Sequence, residues 1–224
     1  PGIAGHRGAN LGLHNSDLII AIGSHLNSSI VTVRPTSFAP NARIIMIDID
    51  KNETDNSPLN LTKSINCDIN KLFTYLDKTK FNYQNTNKEW FQYTSKYREQ
   101  NLIALNYQKN TDKINSYYFQ HVLSKMLDKS YSYVIDGGGT IVYSSFQSLR
   151  IKKNQKVILS TSLCSMGSGI PESIGVHYAD KKKKIICFIG DGSLPFNVQE
   201  LQLISNIKMP ITIFVFNNNG YTSI

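Results

Sequence analysis

Short runs of consecutive apolar residues, each closed by a polar or glycine-rich segment, constrain the fold more than any other feature. The clearest runs are DLIIAIG (residues 17–23), ARIIMIDID (42–50), YSYVID (131–136), KIICFIG (184–190) and ITIFVF (211–216). Such runs are typical of strands that are covered on both faces, as in parallel sheets. Amphipathic stretches between them, such as residues 68–77, predict helices. Strands that alternate with helices predict an α/β fold.

The α/β pattern occurs twice and is interrupted by a polar, Asn-rich segment. With 224 residues, the chain is long enough for one or two domains. We predict a first domain over residues 1–77, a connector over residues 78–112 and a second domain over residues 113–224. The connector contains three aromatic side chains at helical spacing, Trp90, Tyr93 and Tyr97. They indicate a helix over residues 88–100 that packs these side chains against the protein.

Composition narrows the class of partner. The net charge is +8, but the lysines are spread out, and the tight run at residues 181–184 directly precedes an apolar strand, as a solvated loop would. The sequence has no run of ~20 apolar residues, the length that a membrane span needs. The three cysteines lack CxxC spacing and the five histidines are scattered, which argues against a zinc site or a Cys–His nucleophile. We therefore expect neither a nucleic-acid nor a membrane partner.

The apolar run at residues 184–190 is followed at once by Asp191, between two glycines. A carboxylate at the end of a buried strand needs a partner. Gly192 and Ser193 can bring backbone N–H groups close to an anion, and a helix expected after Pro195 directs its positive end at the same loop. Since Mg²⁺ commonly bridges carboxylates to phosphates, the segment predicts a magnesium–phosphate site.

Three further loops follow predicted strands: DGGGT (residues 136–140), CSMGSG (164–169) and NNNGY (217–221). Ligands of open α/β sheets bind beyond the carboxyl ends of the strands, so we expect these loops to meet near Asp191. The asparagines of the last loop and the carbonyl of Gly220 offer neutral oxygens that would complete the coordination of Mg²⁺.

These residues resemble the signature of the thiamine diphosphate (ThDP) enzymes of the acetolactate synthase, pyruvate oxidase and pyruvate decarboxylase superfamily. Their signature is GDG, roughly two dozen residues and then NN, here residues 190–192 and 217–218. SMGSGIPESIG (165–175) is similar to the family's TMGxGLPAAIG, and residues 16–26 and 38–50 are similar to its central domain. The resemblance implies two Rossmann-like parallel-sheet domains, namely part of the central domain and most of the diphosphate-binding domain, truncated at its C-terminus.

The resemblance also implies roles for individual residues. It makes Asp191, Asn218 and the Gly220 carbonyl the ligands of Mg²⁺. It makes Met166 the apolar residue that holds the cofactor in its V shape. The full set of cofactor contacts that it implies is Gly138, Gly139, Thr140, Cys164, Met166, Asp191, Gly192, Ser193, Asn218, Gly220 and Tyr221. Several family members have Gln-His where this chain has Gly139 and Thr140.

The implied activity is ThDP- and Mg²⁺-dependent decarboxylation of a 2-oxo acid, pyruvate, with transfer of the two-carbon unit to an acceptor, as in acetolactate synthases. Two alternatives are a simple 2-oxo acid decarboxylase or oxidase on the same cofactor, and a non-catalytic nucleotide- or phosphate-binding module. FAD in the central domain is left open: GHRG (residues 5–8) looks like a nucleotide loop, whereas LNSSIVTVRP (26–35) lacks the carboxylates of the family's flavin stretch.

The family's activating glutamate lies on an N-terminal domain that nothing in this chain matches. The resemblance therefore places no catalytic residue within these 224 residues. We expect a fragment of a larger cytoplasmic enzyme that assembles at least as a dimer, and we expect that the fragment alone turns over no substrate. Glu172 and Glu200 are interpreted as structural residues of helices.

Overall fold

The computed structural model describes residues 2–31, 33–79, 87–100, 112–160 and 163–221, without the side chains of residues 98–100. The chain divides into two compact units, Pro1–Asn101 and Leu102–Ile224. Each unit contains helices and a parallel sheet, which confirms the predicted α/β class. The boundaries of the connector, 78–112, stay a prediction, because residues 80–86 and 101–111 lie outside the described part.

The first unit is built on a three-stranded parallel sheet of order β1-β2-β3. Buried Val31, Ile44 and Leu59 form its core. The strands are β1 (Leu18–Ile22), β2 (Arg43–Asp48) and β3 (Lys63–Asn66), and the helices are α1 (Arg7–His14), α2 (Ser28–Val31), α3 (Lys51–Asp55), α4 (Ile69–Lys78) and α5 (Lys88–Gln100).

Local sequence signals explain several elements of the first unit. Asp68 caps α4 by accepting a hydrogen bond from the backbone N–H of Asn70 at 2.7 Å, as N-cap residues do. The predicted connector helix is present as α5, where Trp90 and Tyr93 stack with ring centroids 5.5 Å apart. The GHRG segment (residues 5–8) forms the start of α1, with His6 as its cap.

The second unit is built on a four-stranded parallel sheet of order β5-β4-β6-β7. Because every pair is parallel, the loops that follow the strands lie at one edge. The strands are β4 (Tyr131–Ile135), β5 (Val157–Ile158), β6 (Lys184–Gly190) and β7 (Ile211–Phe216), and the helices are α6 (Ser116–Met126), α7 (Gly139–Ser148), α8 (Gly169–Ala179) and α9 (Glu200–Asn206).

Strand β6 shows why the strands are continuous apolar runs. Phe188 belongs to a buried cluster with Tyr133 on one face of the sheet. Cys187 and Ile189 belong to a second cluster on the other face. Successive residues of a strand point to opposite faces, so a strand that is covered on both sides must be apolar throughout.

Two predictions for the second unit were wrong in detail. The helix expected over residues 196–205 begins at Glu200, and Leu194–Asn197 form a 3₁₀ turn instead. The N–H of Ser193 donates to the Gly190 carbonyl at 3.1 Å, and such short-range bonds tighten the chain before the α-helix starts. Gly139, which was expected in a loop, is the first residue of α7. Within the described residues, no helix is long and apolar enough to cross a bilayer.

Candidate functional site

The loops after β6 and β7 are joined at their bases, as the sequence predicts. Gly190 pairs with Phe216 in the parallel ladder, and the N–H of Asp191 donates to the Phe216 carbonyl at 3.2 Å. Within the loops, the N–H of Gly220 donates to Asp191 Oδ2 at 2.8 Å. Asp191 therefore fixes the position of the NNNGY loop (residues 217–221).

A second contact closes the same pair of loops. The Tyr221 hydroxyl donates to the Gly192 carbonyl at 3.3 Å. Its ring lies so close that a Cβ on Gly192 would be 2.8 Å from the Tyr221 Cε1 atom. A residue larger than glycine would push this exposed tyrosine ring aside, so glycine permits the close approach.

The loop after β7 is shaped by its own asparagines. Asn217 Oδ1 accepts a hydrogen bond from the Asn219 N–H at 2.9 Å, the pattern of an Asx-turn. Asn219 and Gly220 both have positive φ, 67° and 118°. The amide oxygen of Asn217 thus serves the turn, and the ligand role of Asn218 stays a prediction from the family resemblance.

The donor set near Asp191 fits Mg²⁺ better than a softer metal. Among the described residues no group of three or more His, Cys, Asp and Glu side chains is placed to hold a metal ion. One carboxylate, one amide oxygen and one backbone carbonyl, from Asp191, Asn218 and Gly220, are hard neutral or singly charged oxygens. Mg²⁺ prefers such oxygens and fills its remaining positions with phosphate or water. That these three residues are the ligands stays a prediction.

The loops after β4 and before α8 pack against each other by their backbones. A Cβ on Gly137 would lie 2.3 Å from the carbonyl carbon of Cys164. Asp136 is fully buried, and its Oδ1 accepts a hydrogen bond from the Gly169 N–H at 3.0 Å. Met166 lies in the second of these loops, where a Cβ on Gly138 would be 4.0 Å from its Cγ.

The four loops surround one cavity of about 790 Å³, a volume within the ~300–1,000 Å³ range of small-molecule sites. Cys164 does not line the cavity, although the backbone contact with Gly137 places it directly behind the wall. The predicted contact residues that do line it are Gly138, Gly139, Thr140, Met166, Asp191, Gly192, Ser193, Asn218, Gly220 and Tyr221.

Two details of the expected phosphate site need correction. The backbone N–H of Ser193 is used within the turn, by its bond to the Gly190 carbonyl, so this residue offers its buried side chain instead. Helix α9 begins at Glu200 and has seven residues, so its positive end does not lie at the Asp191 loop. The helix start that lines the cavity there belongs to α7, whose N-cap, Gly138, makes no side-chain capping bond.

The sequence interpretation missed the wall that the start of α6 contributes. A helix that precedes a parallel strand begins at the carboxyl edge of the sheet, and the available signal was Asn115. Its side chain caps α6 by accepting hydrogen bonds from the N–H groups of Tyr117 at 2.9 Å and Tyr118 at 3.3 Å. The cavity-lining residues of this wall are Lys113, Ile114, Asn115, Ser116 and Phe119.

Two ionisable groups of the second unit have a raised pKa and do not line the cavity. Burial raises the pKa of Glu172, the nearby Asp136 charge raises it further, and a hydrogen bond with Ser168 opposes the change. Burial also raises the pKa of the Cys187 thiol to about 12. Cys187 is therefore a protonated thiol at neutral pH, as expected for a core residue and not for a nucleophile.

Comparison with known proteins identifies the family. The model of the thiamine pyrophosphate enzyme central domain matches residues 1–76, and the model of the C-terminal TPP binding domain matches residues 137–224. The chain belongs to the thiamine pyrophosphate enzymes. Thiamine pyrophosphate is ThDP, so the family predicted from the GDG and NN residues is confirmed, and residues 137–224 are its TPP binding domain.

Several acetolactate synthase large subunits are similar to this ThDP-enzyme chain. The subunit of Buchnera aphidicola subsp. Schizaphis graminum is 30% identical over 98% of this chain and 38% of its own length. The large subunit of isozyme 2 of Escherichia coli K12 is 27% identical over 97% of this chain and 38% of its own length. The large subunit of Porphyra purpurea is 29% identical over 97% of this chain and 36% of its own length. The chain thus spans little more than a third of the length of these relatives.

Proposed function

We propose that the protein to which this chain belongs is a ThDP- and Mg²⁺-dependent enzyme that decarboxylates pyruvate and transfers the two-carbon unit to an acceptor. The observation that carries the proposal is the bond from the Gly220 N–H to Asp191 Oδ2 at 2.8 Å, which joins the GDG and NNNGY loops at the mouth of a cavity. The similarity to acetolactate synthase large subunits supports the reaction class.

In this proposal the metal lies between Asp191 and the diphosphate. Asp191, Asn218 and the Gly220 carbonyl would hold Mg²⁺ with oxygen ligands. A carboxylate facing a diphosphate is repulsive without an intervening cation, because like charges at close range raise each other's energy. The single carboxylate leaves the ion with net positive charge, which is what a diphosphate needs.

The diphosphate would be held by neutral donors opposite the metal. The start of α7, with Gly138, Gly139 and Thr140, lines the cavity and presents the positive end of a ten-residue helix. Gly192 and the side chain of Ser193 line the same part of the cavity. A Cβ on Gly138 would lie 3.2 Å from Ser193 Oγ, so this hydroxyl is close to the start of α7.

The rings of the cofactor would lie toward Met166, which forms part of the cavity wall. A thioether side chain adapts its shape to a ring without offering a competing charge. Tyr221 would close the opposite side, over Gly192, and the backbone near Cys164 would support the loop. The chemistry that ThDP supplies when bound is nucleophilic addition to the 2-oxo acid and storage of the electron pair released with CO₂.

The test is a titration of the full-length protein with ThDP in the presence and absence of Mg²⁺. We expect Mg²⁺-dependent binding that Asp191→Ala weakens at least ~100-fold, the equivalent of about 2.7 kcal/mol. Asp180→Ala, at a partly exposed aspartate that follows α8 and accepts from the neighbouring Lys182 N–H, is the matched control and should bind normally. A wild-type protein indifferent to ThDP would rule out the proposal.

The products from pyruvate decide the finer reaction. A condensation product with a second keto compound supports two-carbon transfer. Acetaldehyde as the main product would show that the enzyme is a simple decarboxylase and does not transfer the two-carbon unit. A cytoplasmic location and assembly of at least two copies stay predictions from the family resemblance.

A further inference from the structure

Asp136 is a buried acid to which the proposed function gives no role. Among the described residues it is the only aspartate or glutamate that is fully buried. It follows β4 directly and precedes the loop of Gly138, Gly139 and Thr140. Burying a carboxyl group costs several kcal/mol unless hydrogen bonds or opposite charge offset it, so its surroundings must stabilise it.

The two oxygens of Asp136 face the starts of two different helices. Oδ1 accepts a hydrogen bond from the N–H of Gly169, the first residue of α8, at 3.0 Å. Oδ2 has no hydrogen-bond partner among the described residues. Gly138, the N-cap of α7, is its neighbour, because a Cβ on Gly138 would lie 3.6 Å from Oδ2. The start of a helix carries partial positive charge, so both positions favour an acidic side chain.

These two helix starts adjoin neighbouring segments of the cavity wall, because a Cβ on Gly138 would lie 4.0 Å from Met166 Cγ. Helix α7 begins with the residues assigned to the diphosphate. Helix α8 continues from the loop with Met166, the residue assigned to the rings. The two loops also touch where the Gly137 backbone meets Cys164. The hydrogen bond from the Gly169 N–H to Asp136 Oδ1 links the segment before α7 to the start of α8.

We propose that Asp136 is a positioning residue of the cofactor site, which through its bond to the Gly169 N–H holds the 137–140 loop against the loop that carries Met166 and so sets the affinity for ThDP. The inference rests on the proposed function. It differs from a purely structural role, because it requires a loss of cofactor affinity in protein that remains folded.

The experiment compares two substitutions of Asp136 in the full-length protein with Mg²⁺ present. Asp136→Asn keeps an oxygen that can accept from the Gly169 N–H, and we expect ThDP to bind within about threefold of wild type. Asp136→Ala removes the acceptor, and we expect binding to weaken at least tenfold. Rescue by asparagine would assign the effect to the hydrogen bond and not to the loss of volume.

A second pair of variants reaches the same bond from helix α8. A Cβ on Gly169 would lie 3.1 Å from Asp136 Cβ and 3.3 Å from its Oδ1, whereas a Cβ on Gly175 meets nothing within 4 Å. Gly169→Ala should weaken ThDP binding at least fivefold. Gly175→Ala, the same change on the same helix, should leave it unchanged.

The outcomes separate this inference from the proposed function. Dissociation constants are measured well below the melting temperature of each variant, so that only folded protein is compared. Normal ThDP affinity in Asp136→Ala, equal losses in Asp136→Asn and Asp136→Ala, or equal affinities of the two glycine variants would each overturn the positioning role. Failure of the wild-type protein to bind ThDP would instead overturn the proposed function.

Discussion

Aspartates follow strands in both sheets of this chain, but their carboxylates bond to different kinds of partner. In the first unit, Asp48, Asp50 and Asp68 each accept a hydrogen bond from the N–H two residues further along the chain. In the second unit, Asp136 and Asp191 accept from N–H groups 33 and 29 positions away. The local bonds shape single turns and helix starts, whereas the long-range bonds join separate loops around one cavity.

The two sheets also differ in how their strands are covered. Strand β6 is buried along almost its whole length, with apolar clusters on both faces. In β1, Leu18, Ile20 and Ile22 are exposed while Ala21 is buried. The long-range carboxylate bonds therefore start from the ends of two strands that are buried along most of their length, as a site that must keep its geometry requires.

The largest expected effect tests this difference in burial. Phe188 is fully buried in β6 and packs edge-to-face on Phe216 with centroids 5.5 Å apart, so Phe188→Ala should lower the free energy of unfolding by about 3–5 kcal/mol. Ile20 is 52% exposed, so Ile20→Ala should lower the free energy of unfolding by less than about 1 kcal/mol. Urea unfolding of the full-length protein, with hydrogen exchange to locate the opened strands, measures both. Equal costs would mean that the two sheets are covered alike.

A smaller effect is expected from glycines in the loops, and we compare one glycine that follows a strand in each unit. A Cβ on Gly137 would collide with the Cys164 backbone, whereas one on Gly23, whose φ is +54°, meets nothing within 4 Å. Gly137→Ala should cost about 1–3 kcal/mol of stability and weaken ThDP binding at least tenfold. Gly23→Ala should cost about 1–2 kcal/mol through left-handed strain alone. Titration with ThDP distinguishes them: a normal affinity for Gly137→Ala would show that the contact with Cys164 is not needed for binding.

The sequence predicted the Asp191 side of the cavity because each step followed from local pattern and topology. The apolar run fixed where β6 ends, Asp191 comes next, and parallel pairing brings the end of β7 alongside. The bond between Gly220 and Asp191 is the outcome of that register. The roles predicted for the residues of the NNNGY loop then came from the family resemblance.

The Asp136 side could not be predicted in the same way. Its partner, Gly169, lies 33 positions away in the chain, and no spacing rule connects an aspartate after one strand with a glycine at the start of the helix that follows the next strand. Helix α7 was missed because Gly139 and Thr140 disfavour a helix by intrinsic propensity. Packing of Ile141, buried in the main cluster of the unit, stabilises that helix regardless.

The 3₁₀ turn after Ser193 shows the reverse case, in which a local signal was present and was overridden. Pro195 is favoured in the first turn of an α-helix, and the sequence interpretation began the helix there. In the structure the Ser193 N–H bonds to the Gly190 carbonyl and the Phe196 N–H bonds to the Ser193 carbonyl. These tight bonds keep the loop of Asp191 compact, so the α-helix begins later.

The smallest expected effect compares a buried with an exposed histidine. His121 on α6 is 2% exposed; burial, followed by the charges of Lys125 and Arg150, lowers its pKa from the ordinary value of 6.5. The unfolded chain therefore binds a proton that the folded chain refuses, so this residue destabilises the fold as the pH falls below about 6.5. His25, paired with Glu53 at 2.6 Å, has a side chain that is 68% exposed and serves as the control.

His121→Gln removes this titration while keeping a polar side chain of similar size. Melting temperatures of the full-length protein at pH 7 and pH 5 should show the wild type losing about 1–3 °C more than His121→Gln on acidification. His25→Gln should not remove that loss, because the His25 side chain is largely exposed and is not part of α6. If the His121→Gln and wild-type proteins lose stability in parallel, acid acts elsewhere, and the fold tolerates a charged imidazole beside Lys125 and Arg150.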